Sequence, residues 1–315
     1  MINKTILIAF LISLGGLYPR SEAKTKHIYV TLSIFWEGSH LHEHNIKTIE
    51  TLRETHPEIK VHHFISPAYF LHENREERIA TIKRAIRPKD TLGVFVSPWK
   101  NLIQEADILF RVSPSFWGPR ETACESNCGN AVPLTVYSSQ DIKKIFDLSR
   151  NIIERAGFKP LKSYSVSGWQ HSTQIANAAK DTGFHYDFSA IPPSRIHRRL
   201  HNYPVYNWTL ANLSGFEGAL QPKFSRRSGS PIIVIPQSGG IIDYNTVEEL
   251  EGFFMEALKQ SSESTIYNLA LHQETISTFK PRLQRILSKI NKLAEESGTT
   301  LTFDWASYRN KIHPN

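Results

Sequence analysis

The chain has 315 residues, 40% hydrophobic and 21% charged, with a formal charge of +7. That balance excludes a disordered or low-complexity chain and leaves room for one large α/β domain or two small ones. The positive excess is scattered, with small clusters at residues 195–199 and 226–227. No basic stripe interleaved with aromatics points to nucleic acid; an anionic envelope surface or polymer suits it better.

Lys4 precedes an apolar run over residues 6–17, and Ser21, Glu22 and Ala23 stand where a cleavage site is expected. The run is too short to span a bilayer comfortably, so residues 1–23 read as a secretory signal peptide, with an uncleaved anchor as the alternative. Residues 24–315 are then one exported domain, secreted or periplasmic, without stable membrane insertion.

Residues 28–34 are mostly β-branched or aromatic and predict a buried strand, followed by Glu37 and a break at Gly38. A carboxylate just beyond such a strand sits where α/β barrels place their chemistry. His40, His42 and His44 follow. Helices are expected over 43–55 and 73–86, separated by a strand over 60–65, with a third strand over 91–96. Residues 97–137 read as a long irregular segment, and a loop of that length inside a domain is usually functional. It holds Cys124 and Cys128, the chain's two cysteines. In an oxidising compartment a close pair in a Gly/Asn/Ser-rich loop is most simply a disulfide; zinc is the rival, but no histidine lies near.

Ile142, Ile145, Phe146, Ile152, Ile153 and Ala156 share one helical face, ended by Gly157. A strand over 160–166, a helix over 172–182 and a short strand around 185–188 come next. Residues 203–230 read as a second irregular insertion. The rest predicts a strand at 232–235, a helix at 246–260 and a strand at 265–272 that ends in a histidine. A long helix through Leu283, Ile286, Leu287, Ile290 and Leu293 follows, and 299–303 forms a last strand. Alternation of this kind predicts parallel strands with helices outside. No glycine-rich dinucleotide fingerprint follows the first strand, so a distorted or incomplete (β/α) barrel is preferred to a cofactor-binding sheet.

Several strand ends carry a family resemblance. The segments 31–38 (TLSIFWEG), 63–70 (HFISPAYF), 97–99 (SPW), 167–169 (SGW), 183–193 (GFHYDFSAIPP) and 271–275 (LHQET) stand in the order and spacing of the polysaccharide deacetylases. By these segments the chain resembles that NodB-type group, the fourth family of carbohydrate esterases. The resemblance implies a distorted barrel and a carbon–nitrogen hydrolase that removes acetyl groups from N-acetylated sugars such as those of peptidoglycan. It also implies a divalent metal, often zinc, held by a carboxylate after the first strand and two histidines after the third. A second acid acts as base, and a late histidine as acid.

Against that pattern, Glu37 stands for the metal carboxylate and His272 for the acid. The base positions hold Phe35 and Trp36. The histidine positions, in a stretch where active relatives resemble LHLHPW, hold Phe95 and Ser97, and an expected arginine is Ser165. No histidine lies between His72 and His171, so no shift of register supplies the pair. One carboxylate binds a transition metal poorly without converging partners. The expectation is therefore a degenerate, weakly active or inactive member without a metal that binds an N-acetylated glycan. Trp99 and Trp169, with Trp117 and Trp208, are candidates either to stack on sugar rings or to anchor loops by packing. The alternative is an active, metal-dependent N-deacetylase with a non-standard ligand set of Glu37, His40, His42 and His272. His272 with Glu274 reads either as a surviving acid dyad or as a hydrogen-bonded residue that caps the barrel, and without a metal or base the structural reading is preferred.

Overall fold

Alternation along β1 (His27–Trp36) divides the molecule into two cores. Val30, Leu32, Ile34 and Trp36 face the outer layer of helices, while Phe35 faces the barrel interior. The computed structural model describes residues 26–312 apart from 39, 119–123, 125–126, 160, 213–219, 225–231 and 261–264. The side chains of residues 212, 223 and 224 also lie outside this description. The expected signal peptide falls outside the described residues.

The first units run α1 (Glu43–Thr55), β2 (Val61–Ile65), α2 (Arg75–Ala85), β3 (Thr91–Val96), α3 (Lys100–Glu105), α4 (Ser139–Arg155), β4 (Ser163–Val166), α5 (Thr173–Asp181) and β5 (Tyr186–Asp187). The remainder runs α6 (Pro204–Asn212), β6 (Lys223–Phe224), β7 (Ile233–Val234), α7 (Val247–Gln260), β8 (Thr265–His272), α8 (Ile276–Glu296), β9 (Thr300–Thr302) and α9 (Trp305–Ile312). The strands form a nine-stranded sheet in the order β6-β7-β5-β4-β3-β2-β1-β8, with β9 also on β1. Among the described residues, only the β6–β7 pairing is antiparallel. The parallel β1–β8 pair is the longest register, from Ile28 opposite Thr265 to Phe35 opposite His272.

The gap between β7 and β8 is closed by irregular chain. Gly239 N donates to Asn268 O at 2.9 Å, Ala270 N to Gly240 O at 3.1 Å, and Ile242 N to Ala270 O at 2.8 Å. These bonds curl the sheet into a distorted, incomplete (β/α) barrel, as expected. The interior is filled with aromatic rings. Phe35 packs at 5.4 Å from Phe64 and 5.5 Å from Phe95, and Phe188 packs at 4.9 Å from Trp305 of α9, which covers the base. Barrels of this width are closed by side chains, so the centre is a packed core and no channel.

Both stretches read as irregular contain helix. α3 lies within 97–137 and α6 within 203–230. Each is short, and the turn residues around it hide its periodicity. α9 was not anticipated either. Cys124 and Cys128 are disulfide-bonded, with Cα atoms 5.8 Å apart. Their loop caps α3, since Lys100 N donates to Cys128 O at 2.7 Å and Asn101 N to Asn127 Oδ1 at 3.0 Å. Phe116 N donates to Ala131 O, and Val205 N to Phe116 O, stitching the two long segments together over the carboxyl ends of the strands.

Candidate functional site

The carboxyl end of β1 is held from two sides. Trp99 Nε1 donates to the Glu37 carbonyl at 2.6 Å, and Glu37 N donates to Glu274 Oε1 at 3.0 Å. Gly38 must be glycine here: its φ is +103°, and a Cβ would meet Ser66 Oγ at 2.7 Å. The Glu37 side chain is left 36% exposed, with Oε1 3.7 Å from His272 Nε2.

His272 is fixed by Asp243, which the irregular closure between β7 and β8 delivers. Its Nδ1 lies 2.7 Å from Asp243 Oδ2, which also accepts from the His272 backbone N at 2.9 Å. Thr275 Oγ1 donates to Asp243 Oδ1 at 2.6 Å. Burial disfavours charge on the imidazole, but Asp243, then Glu37 and Glu274, outweigh it and push its pKa up to about 9. At neutral pH His272 is thus an imidazolium, with Nδ1–H bonded to Asp243 and Nε2–H on the side of Glu37.

Of the two readings of His272 and Glu274, the dyad is not formed: Asp243 holds the His272 ring and Glu274 is bonded elsewhere. Tyr69 donates its hydroxyl to Glu274 Oε1 at 2.5 Å, and Glu274 Oε2 is buried with no hydrogen-bond partner among the described residues. Burial, reinforced by the charge of Glu37, pushes the Glu274 pKa up to about 8. The Glu274 carboxyl group is therefore neutral at neutral pH.

The positions that would hold a metal do not fit one. Phe95 points into the interior core against Phe35, and Ser97 is buried with Oγ donating to Asn130 O at 3.1 Å. Trp36 points into the outer core, where Nε1 donates to His63 Nδ1 at 3.0 Å. His40, His42 and His44 stack in a row on the surface, with 5.3 Å between neighbouring rings. Among the described residues, no group of three or more His, Cys, Asp or Glu side chains is placed to hold a metal ion. The non-standard set of Glu37, His40, His42 and His272 is therefore not assembled.

What remains at the strand ends is a small recess of ≈ 30 Å³, walled by Phe35, Phe95, Glu37, His272 and Trp169. Trp117 and Tyr244 line both this recess and an open groove of ≈ 400 Å³ that extends past Arg199, Leu200 and Tyr203. Trp117 and Tyr203 meet edge-to-face at 5.6 Å and form the aromatic part of the groove. Trp99 is only 5% exposed and belongs to the outer core, so its indole anchors Glu37 and offers no face to a ligand. Trp169 is 7% exposed and lines the recess. The preceding Gly168 has a φ of +69°, and a Cβ there would meet the Phe116 ring at 2.1 Å.

Asp243, Tyr244, Arg199 and Tyr203 were not singled out from the sequence. Asp243 carried one usable signal: a carboxylate just after a Gly-Gly pair beyond a predicted strand.

No protein-family model and no curated protein sequence matches the chain. Among solved structures, the 4-α-glucanotransferase of Thermococcus litoralis superposes with a TM-score of 0.51 at 13% identity, over 91% of this chain and 40% of that one. This chain therefore spans less than half the length of that enzyme, and the superposition shows a shared barrel fold. A family 4 acetyl xylan esterase from Clostridium thermocellum, solved with cobalt, gives a TM-score of 0.42 at 10% identity over 90% of this chain and 91% of that one. Puue allantoinase gives 0.49 at 11% identity over 99% and 100%. Carbohydrate esterases and polysaccharide deacetylases stand among the similar structures. At these identities the likeness is one of fold.

Proposed function

We propose that this is an exported, polysaccharide-deacetylase-like barrel of the cell envelope that binds an N-acetylated glycan, such as a peptidoglycan strand, without hydrolysing it by the metal-dependent route. The observation that carries this reading is the pair Phe35 and Phe95. At the positions where the deacetylase chemistry needs a base and an imidazole, two phenyl rings pack at 5.5 Å and close the space. Neither can accept a proton or donate a lone pair to a metal.

The groove supports binding. An aromatic edge from Trp117 and Tyr203 suits the C–H faces of sugar rings, and the His272 imidazolium offers a charged donor to a sugar or acetyl oxygen. Titration with N-acetylglucosamine oligomers tests the reading. The intact chain should bind, and Trp117→Ala should weaken binding by roughly tenfold, the order of one stacked ring. Absence of binding by the intact chain, or equal affinity in the variant, would count against it.

A further inference from the structure

A second pocket lies at the opposite end of the barrel, where the strands begin. His62 near the start of β2, Thr91 and Leu92 of β3, Ser163 of β4 and Tyr186 of β5 frame a cavity of ≈ 210 Å³, with α9 beside it. Lys159, Lys162 and Arg309 also line it. Both lysines are exposed, Arg309 is half-buried, and among the described residues no ion pair is formed by any of them within 4.0 Å.

The pocket contains one acid, Asp90, and it is already committed. Arg53 holds its Oδ2 at 2.6 Å, while Val61 N and Arg87 N donate to its two oxygens at 3.0 and 2.7 Å. Its side chain is 2% exposed, so it neutralises Arg53 and leaves the pocket cations uncompensated. His62 does not add to the charge. Its Nδ1 is 2.6 Å from Thr91 Oγ1 and its Nε2 2.8 Å from Ser163 Oγ, and burial keeps the ring neutral. The pocket is also lined by Trp305, edge-on to Tyr186 at 5.2 Å.

We propose that this basal pocket is a second binding site, for a small phosphate-class oxyanion, either free or carried on a unit of about one sugar ring. Three cations lining one cavity with a partly apolar floor form such a receptor, and the volume falls below that of pockets for larger ligands. The site is separate from the groove at the strand ends and does not depend on what that groove binds.

Calorimetric titration of the full chain with glucose 6-phosphate, inorganic phosphate and glucose tests the proposal. One or both anions should bind, glucose should not, and added salt should weaken the binding. The exposed pair Lys159→Ala/Lys162→Ala should weaken anion binding at least about tenfold while leaving the thermal midpoint in place. Arg309→Gln should weaken it in the same direction. Tighter binding of the hexose phosphate would assign the ligand as a phosphorylated sugar, and the reverse ranking would assign the free ion; both uphold the site. No anion binding at millimolar concentration, or unchanged affinity in the double-lysine variant, overturns it.

Discussion

The Asp243–His272–Glu37 line is held by direct contacts, and its charge state follows from its neighbours. Asp243→Asn removes the charge that does most to hold the imidazolium. The His272 pKa, pushed up to about 9 in the intact protein, should fall by roughly a unit or more, as read by NMR titration of the ring. An unchanged pKa would mean that Glu37 and Glu274 dominate instead. His272 was legible in the sequence because it closes an apolar run at a strand end. Asp243 was not, because its position depends on an irregular segment docking on β8, and such contacts leave no periodic trace. Trp99 was legible as important but not as buried. A tryptophan after a strand end can stack on a ligand or anchor a loop, and the Glu37 carbonyl decides for the latter.

Among the elements, the regular ones could be read almost to the residue. Glu43–Thr55, Thr91–Val96 and Thr265–His272 match the apolar patterns read from the sequence. The misses are short helices flanked by irregular chain. α3 and α6 are short, and α9 follows a strand of three residues. Two predictions belong here. Phe95→Ala removes a ring packed on Phe35 and should cost about 3–5 kcal/mol in denaturant unfolding while enlarging the recess beside His272. A loss below about 1 kcal/mol would show that Phe95 does not fill the core there. Cys124→Ser/Cys128→Ser releases the loop that caps α3. Closing so short a loop stabilises by about 2 kcal/mol, and the variant should lose that much by the same measurement. Unchanged stability would mean that the cap bonds persist without the disulfide.

For the whole molecule, the two groups raised to about 8 and 9 set a pH dependence of one sign above neutral pH. Glu274 and His272 both bind protons more tightly when the chain is folded, so the stability they contribute is full below their unfolded pKa values. It is lost as pH rises through about 8 for Glu274 and about 9 for His272. His62, whose pKa burial lowers to about 3, acts oppositely but only below the ordinary histidine range. The thermal midpoint should therefore fall between about pH 6.5 and 9, and Glu274→Gln should flatten the decline. A midpoint that rises over that range would contradict the assignment.

The barrel proposed above keeps a glycan groove while aromatic packing takes the place of the hydrolytic machinery. Its most direct test is acetate release from N-acetylglucosamine oligomers by the full chain, assayed with added zinc or cobalt and with a chelator. The expected result is no acetate above the protein-free control under any condition, with oligomer binding retained. Acetate release that metal stimulates and chelation abolishes would contradict it.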